Sequence, residues 1–205
     1  MEFVLPQALE ALFPAQPSLC TSLQTYVQLL MRWNKTYNLT GFQSEQEIFE
    51  GFILQSRLIS PYLEGHFFVD LGTGAGVPGL ILSILHPERS FLLIDSNGKK
   101  IRFLTHAIQT LKLPNVRALQ VRIEDFKTDT PIDGLLTKAF APLDRTLSLC
   151  QHLPIIKFYA LKGPQGLEEA HALQETQKRP CKIIPLPKIT HPMSYLILVS
   201  GHPLP

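Results

Sequence analysis

Residues Val69 to Gly79 read V-D-L-G-T-G-A-G-V-P-G, directly after the apolar pair Phe67 and Phe68. An apolar run that passes into three alternating glycines describes a buried strand ending in a tight turn. Glycines at 72, 74 and 76 permit positive φ and let a ligand approach the main chain where any Cβ would collide. The apolar run Val77 to Leu85 then predicts the following helix. Pro78 in its first turn removes only an N–H that has no helical acceptor. A strand, a glycine turn and a helix in this order form a site for a nucleotide-like cofactor.

Two kinds of cofactor use such a turn. Read from Gly74, the stretch satisfies G-x-G-x-x-G through Gly76 and Gly79, which leaves open a dinucleotide with its pyrophosphate at the helix N-terminus. Asp70 tilts the balance, because a carboxylate at the strand exit repels phosphate and suits the cationic amino group of S-adenosylmethionine. A second apolar run, Ser90 to Asp95, ends in an acid about twenty residues after the glycines, the spacing at which a carboxylate accepts hydrogen bonds from a ribose. Asp95 alternatively caps the helix that opens at Ser96 or Asn97. The preceding glycine turn favours the ribose role, which either cofactor would use.

The rest of the chain supplies the sheet. Before the turn, Leu19, Leu23, Tyr26, Val27, Leu30 and Met31, then Ile48, Phe49, Phe52, Ile53 and Leu58, recur at helical spacing. After it, strands at 67–71, 91–95, 116–121, 134–139 and 155–161 alternate with helices from Val77 and over 98–111, 143–153 and 167–177. That alternation predicts an α/β fold with a mostly parallel sheet. Runs at 181–184 and 195–200 lie too close for a crossover helix and should pair antiparallel. The expected organisation is a single domain over 1–205: a helical extension over 1–64, an α/β core over 65–200 and a tail over 201–205. Prolines near 185–192 suggest a loop.

Composition narrows the setting. At 205 residues and a formal net charge of +2, the chain has room for one large core and no extreme field that would demand nucleic acid. Cys20, Cys150 and Cys181 are odd in number and far apart, which suggests neither a disulfide framework nor zinc. The scattered histidines, including His66, His86 and His106, show no ligand spacing, and no metal is expected. The start lacks a basic leader and no apolar run approaches the roughly twenty residues that span a bilayer. These features predict a cytoplasmic protein without membrane insertion; a monomer is the expectation.

In an open parallel sheet the ligand lies beyond the carboxyl ends of the strands, so the loops there define the site. They contribute Gly72 to Val77, Asp95 with Ser96, Ile123 to Asp125, Lys138 with Phe140, and Lys162 with Gly163. Together with W-N-K-T-Y-N-L-T at 33–40, L-I-D-S-N-G-K-K-I-R-F-L at 93–104, R-I-E-D-F at 122–126, T-K-A-F-A at 137–141 and Y-A-L-K-G at 159–163, the glycine turn makes an ordered set. In that set the chain resembles the bacterial 16S ribosomal RNA guanine-N7 methyltransferases of the RsmG or GidB type, over roughly Tyr26 to Ser200. The resemblance implies a Rossmann-like class I S-adenosylmethionine-dependent methyltransferase. Its cofactor would contact Gly72 and Val77, Ile123 and Glu124, and Lys138, with Asp95 on the ribose. The family places arginine where this chain has Lys138, and commonly reads H-I-L-D-S where this chain has Phe52-Ile53-Leu54-Gln55-Ser56.

Methylating guanine N7 removes no proton, so the implied reaction needs alignment rather than a general base. No catalytic acid or base is therefore assigned. The product base is cationic, which suits an aromatic face such as Phe140; Phe140 is equally suited to the core at a strand end. Cations for the 16S RNA or the small ribosomal subunit are Lys35, Lys99, Lys100, Arg102, Lys138, Arg145 and Lys162, although Lys99, Lys100 and Arg102 also fit a solvated helix face. Asn34, Lys35 and Asn38 lie beside Trp33, Tyr37 and Leu39, as in a segment anchored by apolar side chains that presents polar ones to RNA. Two rivals share these features: a nicotinamide-dependent oxidoreductase with the same turn, and a non-catalytic RNA-binding or assembly protein that retains the fold.

Overall fold

Alternating apolar runs separated by amphipathic segments build a seven-stranded sheet with helices on both faces. The computed structural model describes residues 3–187 and 193–200, so part of the proline-rich loop (188–192) and the tail (201–205) lie outside the described residues. The strands are β1 (Phe67–Leu71), β2 (Ser90–Asp95), β3 (Val116–Gln120), β4 (Ile132–Lys138), β5 (Ile155–Lys162), β6 (Cys181–Pro185) and β7 (Tyr195–Ser200). Their order is β3-β2-β1-β4-β5-β7-β6. The first five run parallel, and β7 inserts antiparallel between β5 and β6. The strand order reverses between β1 and β4, which opens a crevice at their carboxyl ends.

Helices α1 (Leu5–Leu12), α2 (Pro17–Tyr37), α3 (Glu45–Ile48) and α4 (Gln55–Ile59) precede the sheet, with a π-helical turn over Phe49–Leu54 between the last two. Helices α5 (Gly79–Leu85), α6 (Gly98–Leu111), α7 (Leu143–Leu149) and α8 (Gln165–Gln177) alternate with the strands. Successive strand residues divide between two cores, as a period of two requires. Phe68, Phe91, Leu93, Leu136 and Tyr159 pack with the N-terminal helices, α5 and α6. Val69, Leu71, Ile94, Leu135 and Phe158 pack with α7 and α8. Each such side chain contributes roughly 1.5–3 kcal/mol on burial.

Several strand and helix ends shift by one or two residues from the sequence reading, and three larger or more informative differences have a local cause. Helix α5 begins at Gly79 rather than Val77, because a turn closed by Gly76 and Val77 N–H groups on the Thr73 carbonyl comes first. Helix α7 ends at Leu149, four residues early, where a turn through Cys150 and Leu153 redirects the chain toward Pro154 and β5. Helix α1 lies outside the periodicity read from sequence: in eight residues it offers only Leu5 and Leu9 as buried apolar positions, too few to establish a period.

The helical segment also braces the glycine turn. Tyr26 on α2 is fully buried and its Oη donates to the Ala75 carbonyl at 2.9 Å. Burial pushes the phenol pKa far up, and the charge of Asp70 adds to this, so the hydroxyl remains a donor. Tyr26→Phe leaves that carbonyl unpaired inside the protein and is expected to cost about 1–2 kcal/mol of stability in urea denaturation. It should also weaken cofactor binding several-fold by loosening the turn; equal stability of the variant and wild type would remove this brace from the account.

Candidate active site

Strand β1 carries Asp70 onto the face covered by α5, and its side chain is fully enclosed. Oδ2 accepts from Thr73 Oγ1 at 2.6 Å and from the Gly79 N–H at 2.8 Å, tying the turn to the first residue of α5. Oδ1 is enclosed without a hydrogen-bond partner among the described residues. Burial pushes the Asp70 pKa up to about 6; the Thr73 and Gly79 hydrogen bonds and the Lys138 charge oppose this, and Asp95 adds to it. The expectation that Asp70 meets a ligand's amino group is therefore corrected: it braces the turn from beneath.

The turn itself uses φ values of 67° at Gly72, 59° at Gly74 and 93° at Gly76. At Gly72 a Cβ would stand 2.5 Å from Cδ2 of Phe140, so glycine is required both by conformation and by the close approach of that ring. The Gly74 N–H donates to Asp95 Oδ2 at 3.0 Å. Oδ1 of Asp95 accepts from the Asn97 N–H at 2.9 Å, and Lys100 Nζ lies 3.3 Å from Oδ2. Asn97, not Asp95, is the N-cap of α6, accepting from the Lys99 N–H.

A cavity of about 580 Å³ opens at the carboxyl ends of β1 to β4, within the range of small-ligand sites. It gathers Gly72, Asp95, Ile123 and Glu124 from three successive strand ends, with Lys100, Phe140 and Arg145 at its wall. Gly74, Gly76, Val77 and Lys138 do not line it. Lys138 instead lies with Nζ 5.1 Å from the centroid of the Phe52 ring. Burial lowers its pKa, and the charge of Asp70 opposes that shift. Lys138 and Phe52, two of the three residues that depart from the family pattern, thus meet each other on the Asp70 side of β4, away from the cavity.

The cations and amides read as RNA-facing also separate. Asn34 is buried: its Nδ2 donates to the Phe42 carbonyl at 3.0 Å and its Oδ1 accepts from the Thr40 N–H at 2.9 Å, so it latches a loop rather than presenting an amide. Asn38 ends α2 in a left-handed conformation and is exposed, as are Lys35, Lys99 and Arg102. None of these four lines the cavity. Trp33 packs on Phe103 and His106 of α6, which anchors this end of α2. Lys162 is corrected as a free phosphate contact. Its Nζ donates to Glu169 Oε2 at 2.9 Å and to the Ala141 carbonyl, while Glu169 Oε2 also accepts from the Leu143 N–H at 2.8 Å. This clamp sets the β4–α7 loop that carries Phe140.

Sequence reasoning missed Tyr26, Thr73 and Glu169. Thr73 lay within the glycine turn and was legible there as a hydroxyl beside a carboxylate. The other two act through partners 49 and 26 residues away, for which no local pattern exists. Among the described residues, no group of three or more His, Cys, Asp or Glu side chains is placed to hold a metal ion. No described helix is long and apolar enough to cross a membrane.

Residues 19–183 match the GidB family, described as rRNA small subunit methyltransferase G. The chain belongs to this family. It is 45% identical over 155 residues to ribosomal RNA small subunit methyltransferase G of Shigella dysenteriae, covering 75% of each chain. The Escherichia coli K12 protein of the same name matches to the same extent. Among solved structures, magnesium protoporphyrin IX methyltransferase from Synechocystis with bound SAM aligns with a TM-score of 0.61 at 9% identity, over 98% of both chains. TrmK of M. capricolum in complex with S-adenosyl-homocysteine aligns at 0.57 and 11%, over 72% of this chain and 68% of its own. These distant structures share the fold, a Rossmann-like methyltransferase sheet. S-adenosylmethionine is the cofactor of such a GidB protein, and the cavity fits it: a glycine main chain, an acid at the end of β2 and the Ile123-Glu124 loop converge on one space.

Proposed function

We propose that this protein transfers the methyl group of S-adenosylmethionine to N7 of one guanine in 16S ribosomal RNA, as a cytoplasmic monomer. The observation that carries the reading is the convergence of Gly72, Asp95, Ile123 and Glu124 on one cavity in a GidB-family chain. When bound, the cofactor supplies a methyl carbon activated by a sulfonium. Asp95 would accept from the ribose hydroxyls, the Ile123-Glu124 loop would border the adenine, and the Gly72 main chain would border the methionine portion. Residues 1–205 act in this reading as one methyltransferase domain, with the helical extension (1–64) bracing the core.

Guanine N7 holds an in-plane lone pair and loses no proton, so these residues have only to bind and orient. Orientation is worth up to roughly 7–11 kcal/mol in favourable intramolecular reactions. Of the cations read from sequence as RNA-facing, Arg145 at the cavity wall and the exposed Lys35, Lys99 and Arg102 are placed to meet phosphate. Each neutralised phosphate adds to the salt dependence, so RNA affinity should fall steeply with ionic strength.

The test is transfer of labelled methyl to small-subunit RNA and to particles that lack the modification, followed by cleavage mapping of N7-methylguanine. Label at a single guanine is the expected outcome. Cofactor binding without transfer would favour the non-catalytic RNA-binding reading, and absence of cofactor binding would revive the nicotinamide alternative.

A further inference from the structure

A second cavity, of about 490 Å³, lies between the β4–α7 loop and the start of α8. Residues 139–142 line both it and the cofactor cavity, so Phe140 stands at their junction. The far wall holds Leu161, Pro164, Gln165 and Glu169. Nothing in the mechanism above uses this space. Its chemistry is that of a nucleobase pocket: an aromatic ring, apolar walls and one carboxylate.

Glu169 is the informative group. Its Oε2 is committed to Lys162 Nζ and the Leu143 N–H. Its Oε1 has no hydrogen-bond partner among the described residues, and the side chain is 26% exposed. The Lys162 and Leu143 partners fix the carboxylate in place. A fixed carboxylate oxygen accepts from the N1–H or the exocyclic amine of guanine, which both donate from one edge of the base. Adenine presents a lone pair at N1 and only a C–H at position 2 on that edge, so the same oxygen repels it. Binding guanine by this edge leaves N7, on another edge, free to face the cofactor.

We propose that this second cavity is the target-base subsite, with Glu169 reading the N1–N2 edge of guanine and Phe140 contacting the base. The inference rests on the proposed RNA methylation and adds the residue that selects guanine over adenine. Arg145 at the rim of the cofactor cavity then stands on the path of the attached phosphate.

The test uses the full chain with S-adenosyl-homocysteine present, and GMP and AMP as probes in calorimetric titration, alongside labelled methyl transfer to unmodified small-subunit particles. Wild type should bind GMP more tightly than AMP. Glu169→Gln should lose that preference and lower kcat/KM for the particle by roughly 10- to 100-fold, the range for a hydrogen bond to a charged group, with S-adenosylmethionine affinity unchanged. Lys162→Met separates this from the clamp: it disturbs the loop, while the Glu169 carboxylate stays on α8 with the Leu143 N–H still bound to it, so the variant should bind GMP more weakly and yet retain the GMP preference. Equal GMP and AMP binding by wild type would overturn the subsite. So would Glu169→Gln and Lys162→Met variants that lose particle methylation equally while keeping the GMP preference, which would leave Glu169 only a loop clamp. Failure of the functional reading looks different, since wild type itself would then transfer no methyl group to the particle.

Discussion

Asp95→Ala should weaken S-adenosylmethionine binding by about 3 kcal/mol, roughly 100-fold in Kd by calorimetry. The two ribose hydroxyls would donate to a charged acceptor, and each such bond is worth about 1.5–3 kcal/mol. Asp95 is held ready for that role by the Gly74 and Asn97 N–H groups and by Lys100, with little freedom left to lose on binding. Asp95→Asn preserves the shape and one acceptor while removing the charge, so its loss should be intermediate. Because Asp95 also holds Gly74, thermal unfolding of each variant without cofactor separates damage to the turn from loss of the ribose contact. Unchanged affinity in Asp95→Ala would move the ribose to another group.

The second large effect concerns pH. Burial raises the Asp70 pKa from 3.8 to about 6, a displacement corresponding to about 3 kcal/mol. Between those values the folded protein holds a proton on Asp70 that the unfolded chain has released. Stability contributed by this group is therefore present below about pH 3.8 and lost as pH rises toward about 6. Asp70→Asn cannot ionise and still offers an acceptor to Thr73 and Gly79. In urea denaturation across that window, the difference between variant and wild type should shift in favour of the variant by up to about 3 kcal/mol as pH rises. A difference that stays constant with pH would mean that Asp70 titrates as an ordinary carboxyl.

Much of the fold was legible because its signals are local. The apolar runs of β1 to β5, the amphipathic spacing of α6 and the glycine turn depend on neighbours within one or two turns of chain. The short gap before β7 similarly predicted antiparallel pairing, which the sheet has with both β5 and β6. What went astray locally was competition between signals: the apolar residue Val77 looked helical, while the turn on the Thr73 carbonyl delays α5 to Gly79.

The site divides along the same line. Motif spacing located Gly72 and Asp95, the family resemblance pointed to Ile123 and Glu124, and the strand order gathers all four in the cavity. Asn34, Lys138 and Lys162 carry the residue types expected of RNA or cofactor contacts, yet the structure turns each inward or to a partner. Asn34 is occupied by a loop, Lys138 by the surroundings of Asp70 and Phe52, and Lys162 by Glu169 and the Ala141 carbonyl. The sequence by itself determined the sheet, the glycine turn and the acid at the end of β2, because strand periodicity and positive φ are properties of adjacent residues. Only the tertiary structure decided which charges stay free for a ligand, because a charge is claimed by whichever partner the fold brings within a few ångströms, however distant in the chain.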